Sequence, residues 1–301
     1  MQQPDTASRR SPLAWLDSTF QYWALAPAVL LFAVLTLYPV ANLLRMSVST
    51  IDFAKGEFVW TFAGAKNLLT LADDWLFRIA LRNTLSFVAA AVVLEMVLGF
   101  LLALVASQVT AGSGVYRTIL VIPILVPAVA IGCMWKLMYN YEFGIINQIL
   151  TALRLPGQAW LADVNMAMPA VILVDVWHWV PFVFLILLAG LESLPVEVLE
   201  AASVDGANGW QRLWHVIMPL VWPTFSVALM FRTIFAFKVF DEVFLLTSGG
   251  PGTSTEVVSL YIYQVFFSEN RMGYGALLSI VTIAIISLFV IVYRRTGRSE
   301  V

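Results

Sequence analysis

Residues 194–219 read LPVEVLEAASVDGANGWQRLWHVIMP, a long patterned stretch set between two apolar runs. Pro195 suits the first turn of a helix, the acids Glu197 and Glu200 favour its positive end, and Gly206 supplies a stop. A second helical stretch runs from about Trp210 to Ile217 and ends at Pro219, whose missing amide breaks the helix before the next apolar run. The expectation is a helical knob. Its tip, built from Ala201, Ala202, Gly206 and Ala207, is small enough for the backbone to seat deeply in a groove on another protein, with Glu200, Asp205 and Arg212 fixing the register. A helix lying on the membrane surface is the alternative, but the polar face is acid-rich and lacks the Lys and Arg that such helices use.

What surrounds the knob is oily. The chain is 60% hydrophobic and only 12% charged, with a mean hydropathy of +0.86, too apolar for a water-soluble domain of this size. Six runs are long enough to cross a bilayer as helices: about 22–46, 79–106, 118–139, 168–191, 220–246 and 274–293. The expected fold is therefore an all-α polytopic membrane protein. Its parts are an N-terminal tail over 1–21, a transmembrane domain over 22–293 with the patterned loop at 192–219, and a C-terminal tail over 294–301.

An even count of spans places both termini on one side. Arg9 and Arg10 before the first span, and Arg294, Arg295 and Arg298 after the last, put that side in the cytoplasm. The loops near 48–78, 140–167 and 247–273 then face outward, and the last carries the turn signal Gly249, Gly250, Pro251 and Gly252. A net charge of -2 without a basic cluster leaves no footprint for nucleic acid. The single Cys133 excludes an intramolecular disulfide.

Glu200-Ala201-Ala202, Asp205-Gly206-Ala207 and Ile217-Met218-Pro219 resemble the EAA loop of binding-protein-dependent ABC importer permeases. The resemblance extends to Asn83-Thr84-Leu85, Ile122-Pro123 with Pro127, Tyr141 to Asn147, and Trp177 through Pro181-Phe182, and is closest to maltose-type and glycerol-phosphate-type sugar permeases. Met218 and Leu213 depart from it conservatively. The resemblance implies a type I ABC importer permease fold in a bacterial cytoplasmic (inner) membrane. It implies a coupling role for Glu200, Ala201, Ala202, Asp205, Gly206, Ala207 and Arg212 against a cytoplasmic ATPase. It also implies as partners a second homologous permease, two ATPase subunits, an external solute-binding protein and a carbohydrate-like substrate. The sequence has no G-x-x-x-x-G-K-[ST] run to cradle phosphates, so ATP and Mg belong to the ATPase and no cofactor is expected on this chain.

Ionisable groups inside spans are expensive and should face protein or water. Arg232, Lys238, Asp241 and Glu242 gather in the fifth apolar run, and on a continuous helix Lys238 could pair with Asp241 or Glu242. Internal pairing and sugar recognition both suit such a set. In the fourth run Asp175, His178 and Trp179 precede Pro181 and Phe182. By comparison with maltose-type permeases, Asp175, Trp179, Phe182, Phe237, Lys238 and Asp241 fall on the substrate path, whereas Ile124 and Ala128 stand where that family's maltose site is polar. Glu95 reads as structural and Lys136 as a cation reaching the interface.

Two other classes make different demands. An ion-coupled secondary transporter usually repeats its halves, but the two halves here share no obvious motif. An intramembrane enzyme needs a nucleophile with a base, or metal ligands such as H-E-x-x-H. Two separated His residues and one Cys supply neither, so no catalytic or metal-binding residue is expected.

Overall fold

The computed structural model describes residues 14–54, 57–109 and 112–296. Most of both expected tails, with Arg9, Arg10 and Arg298, lies outside these residues. Thirteen α-helices and one β-hairpin are described. Five helices are long and apolar enough to cross a membrane, or six if one bent pair counts as a single span. Helix α1 (Ala14–Ser47) starts before the expected span at 22, so residues 14–21 are helical, while the apolar span within it runs from Ala24 to Ser47. It packs against α13 (Met272–Thr296), and its described side chains are largely exposed, as expected for a rod in lipid.

The hairpin was not expected. Strands β1 (Ser49–Ala54) and β2 (Glu57–Phe62) pair antiparallel with Ile51 opposite Trp60, and their β-branched and aromatic residues suit a pleated ribbon. After α2 (Lys66–Asp73), Asp74 caps the long α3 (Trp75–Gln108) by accepting the Phe77 amide at 2.9 Å.

The third expected span is not one rod. Helices α4 (Ser113–Leu125) and α5 (Ala128–Met138) meet at 95°. Pro127 forces the preceding Val126 into an extended conformation, so the helix cannot continue. The short α6 (Ile145–Ala152) follows, and then α7 (Ala167–Glu192) packs along α3. Gly99 makes that contact close, because a Cβ there would meet Val183 Cγ1 at 2.6 Å. The main core forms where α3, α5, α7 and α10 converge, around Phe87, Ile131, Phe184 and Leu187.

Beyond α7 come α8 (Val196–Val204) and α9 (Gly209–Arg212), then a π-turn over Leu213–Ile217 that runs into α10 (Met218–Phe237). Pro219 does not end a helix as the sequence suggested. It sits in the first turn of α10, where a missing amide is harmless, and the wide turn joins the Met218 amide to the Leu213 carbonyl.

The fifth expected span is broken as well. α10 ends at Phe237, residues 238–240 are non-helical, and α11 (Asp241–Leu246) begins a new axis. α12 (Val258–Tyr263) continues as a π-turn over Gln264–Ser268 before α13. At this end Asp74 accepts from Tyr261 at 2.6 Å and from Tyr274, which ties α3 to α12 and α13. Burial alone would raise the Asp74 carboxyl. These two phenols and the Phe77 and Leu76 amides outweigh it and hold the group below its ordinary value. Asn83 donates to the Thr253 and Glu256 carbonyls at 2.9 Å each, and Thr84 accepts the Val258 amide at 2.9 Å. The Asn83-Thr84 pair thus anchors the glycine-rich loop.

Candidate functional site

Two regions carry the residues singled out from sequence. The first lies at the break after α10. Arg232 is fully buried and forms ion pairs with Glu95 of α3 and Asp175 of α7, each no more than 2% exposed. A second Arg232 contact, Nη2 to Glu95 Oε1, measures 2.8 Å. One guanidinium thus joins three membrane helices, consistent with the structural role expected of Glu95.

The expected pairing of Lys238 with Glu242 or Asp241 does not occur, because the break removes the helical register that such a pair requires. Glu242 is buried and instead faces His178 Nδ1 at 3.1 Å. Lys238 and Asp241 are exposed, and the Lys238 ammonium lies 5.7 Å from the Phe235 ring centre. Lys136 does not simply reach for the interface. It donates to the Leu245 carbonyl at 3.2 Å, in the last turn of α11, where a cation is favoured.

Beside the ion cluster stands an aromatic wall. Trp179 stacks on Phe235 at 5.5 Å, and Phe182 meets both rings edge-on at 5.9 Å. Phe231 extends the wall at 6.3 Å from Phe235, and Arg232 lies 5.3 Å from the Trp179 ring, a cation–π contact from behind. Trp179, Phe182 and Phe235 are half-buried and Phe231 is exposed. Phe237, by contrast, is buried and packs 6.2 Å from Phe289 of α13. Sequence reasoning missed Phe231 and Phe235; their four-residue spacing on α10 was the available signal. Flat rings with a lysine 5.7 Å from one of them offer apolar faces to C–H groups and a charged partner to hydroxyls. A separate cleft of about 440 Å³ between α3, α4 and α7 is lined by apolar residues such as Leu98, Ile119 and Phe184 and has no such chemistry.

The second region is the knob. α8 buries no residue, and its C-terminal end is closed by backbone hydrogen bonds. Gly206 at φ +78° ends it: its amide donates to the Ser203 carbonyl at 3.2 Å, and the Ala207 amide reaches the Ala202 carbonyl at 3.0 Å. This is a Schellman closure, which favours glycine at that position. Asn208 and Gln211 then cap α9 reciprocally, with both bonds at 2.9 Å. Arg212 joins the two helices through Ser203 Oγ at 3.3 Å. Glu200, Ala201 and Asp205 are exposed, Ala202 and Ala207 half-exposed, and Val204 and Trp210 show 87% and 70% of their surface.

Apolar spans, an internal charge cluster and a projecting helical knob define a multi-pass membrane transport component. The family model for the binding-protein-dependent transport system inner membrane component matches residues 114–299, and the chain belongs to that family of ABC importer permeases. It is 35% identical to the trehalose/maltose transport system permease protein MalF of Thermococcus litoralis, over 96% of this chain and 97% of that one. It is 34% identical to the sulfoquinovosyl glycerol transport system permease protein SmoG of Agrobacterium fabrum, over 95% and 94% of the two chains. The fold matches a bacterial ABC transporter involved in import of the acidic polysaccharide alginate, with a TM-score of 0.82 at 23% identity over 95% of this chain and 98% of that one.

Proposed function

We propose that this chain forms half of the transmembrane path of an ATP-driven sugar importer and receives its driving force through the knob at residues 192–219. The observation that carries the reading is the knob itself: α8 is closed at its C-terminal end by Gly206, buries no residue, and stands among exposed apolar side chains. Exposed apolar surface on a self-contained element fits a docking site on another subunit. In this reading Glu200, Ala201, Ala202, Asp205, Gly206, Ala207 and Arg212 seat on one of two ATPase subunits, which bind ATP and Mg. A second, homologous permease completes the path, and an external binding protein delivers the sugar. Both termini lie in the cytoplasm with the knob.

The carbohydrate assignment is supported by the names of the similar permeases and by the aromatic wall. Trp179, Phe182, Phe231 and Phe235 stack against sugar rings, while Lys238 and Asp241 bond hydroxyls at the helix break. Asp175 serves the path from behind by fixing Arg232 under Trp179, and Phe237 anchors α10 to α13. Closure of the ATPase pair moves the knob and re-aims this wall between the two membrane faces.

Gly206 supplies the test. A Cβ there has open space around it, so Gly206→Trp adds bulk at the docking face and only the local strain of a left-handed residue, about 1–2 kcal/mol. Gly206→Asn, which tolerates that conformation, is the control. The Trp variant should assemble poorly with the ATPase and lose permease-stimulated hydrolysis while the Asn variant keeps both. Undiminished assembly and hydrolysis in the Trp variant would remove the knob from the coupling role.

A further inference from the structure

Away from the proposed path, the start of β1, helix α2 and the start of α13 with the residues before it enclose a polar cleft of about 230 Å³. Lys66 opens α2 and Arg271 immediately precedes α13, so two cations far apart in sequence converge on one cleft. Asn270 adds an amide, whereas the Ser49 and Thr70 hydroxyls already donate to the Arg45 and Lys66 carbonyls, and among the described residues no Asp or Glu lines the cleft. Asn67 is buried and donates to the Ser47 and Ser49 carbonyls at 2.8 and 3.2 Å, which occupies both its amide hydrogens and fixes the wall made by the start of β1. Gly273 closes the back, where an added Cβ would collide with the Ser49 carbonyl. Lys66 is exposed and forms no ion pair among the described residues. Arg271 lies over the Tyr274 ring at 4.7 Å and meets the exposed Glu269 at 3.3 Å, an acid outside the lining.

Depth identifies the ligand. The apolar span that starts at Met272 has 22 residues, about 33 Å of helix at 1.5 Å per residue, which matches the hydrocarbon layer. The cleft at its first turn therefore falls among lipid headgroups, and the α1 span ends beside it at Ser47. Arg45 lies over the Trp60 ring at 4.8 Å, an indole where aromatic residues gather at membrane interfaces. We propose that this cleft binds the phosphate of an anionic phospholipid, with Lys66 and Arg271 on its oxygens and the acyl chains lying against the exposed apolar sides of α1 and α13. A phosphodiester offers only acceptors, and it suits a lining with two cations, the Asn270 amide and, among the described residues, no carboxylate.

The test uses the full chain, purified in detergent with its copurifying subunits and analysed by native mass spectrometry after titration with phosphatidylglycerol or phosphatidylcholine. Phosphatidylglycerol should be retained preferentially, and retention should fall roughly fivefold for each cation removed in Lys66→Gln and in Lys66→Gln/Arg271→Gln. Should the double variant not assemble, Lys66→Gln alone gives the reading, because it changes an exposed side chain with no ion-pair partner. Displacement of the lipid by millimolar inorganic phosphate would reassign the site to free phosphate. Equal lipid retention in wild type and variants would overturn the proposal.

Discussion

The ion cluster and the knob are opposites. Arg232, Glu95 and Asp175 are buried polar groups that exist for one another, whereas α8 buries no residue and exposes apolar side chains. In the cluster, removing one member strands the others away from water. In α8 of the knob, removing an exposed apolar side chain such as Val204 strands nothing. The difference separates residues that hold the bundle together from residues free to serve another molecule.

Arg232→Met should break the contrast most severely. It leaves two buried carboxylates uncompensated, a loss of about 3–5 kcal/mol, and little folded protein should reach the membrane. The triple change Glu95→Gln/Asp175→Asn/Arg232→Met removes every charge together and should recover most of the yield, as measured by detergent melting curves. If the triple fails as badly as the single, the ion pairs are not what the bundle depends on.

Gly99→Val tests the packing around the same cluster. The added atoms meet Val183 and the Phe184 amide, so α3 and α7 must separate, with a loss of about 1–3 kcal/mol. A melting midpoint unchanged from wild type would mean that this helix pair is looser than the structure indicates. Gly206 in the knob, by comparison, should affect coupling far more than stability.

The smallest effect concerns Glu256, buried in the glycine-rich loop, where among the described residues the Gln264 amide, at 3.5 Å, is the one hydrogen-bond donor to its carboxylate. Burial pushes its carboxyl up from the usual 4.5 to about 7, so the folded chain favours the protonated form. That stabilisation is complete below about pH 4.5 and is lost as pH rises through about 7. The melting midpoint should therefore fall across that interval, and Glu256→Gln should flatten the curve. An equally steep curve in the Gln variant would exclude this residue as the cause.

Legibility followed the same division. The spans were readable because apolar length alone specifies them, and the knob was readable because its helix signals are local. Asn208 and Gln211 also announced a capping box, which sequence reasoning passed over. The partners of Arg232 were hidden: Glu95 lies 137 residues away and Asp175 lies 57, and no local pattern connects them. The break at 238–240 was hidden too, because it contains neither Gly nor Pro, and assuming an unbroken helix misdirected Lys238 and Glu242. The hairpin escaped for a plainer reason. Its charged residues made it read as loop, although Phe58, Trp60 and Phe62 alternate as a strand requires.

The π-turn at 213–217 leaves no slack between the knob and the membrane. From Gly209 to Phe237 the backbone is one uninterrupted helical shaft of 29 residues, about 43 Å long. The shaft thus places the knob at one end and Lys238, the first non-helical residue, at the other, so in the proposed coupling role a displacement of the knob reaches the helix break along continuous backbone.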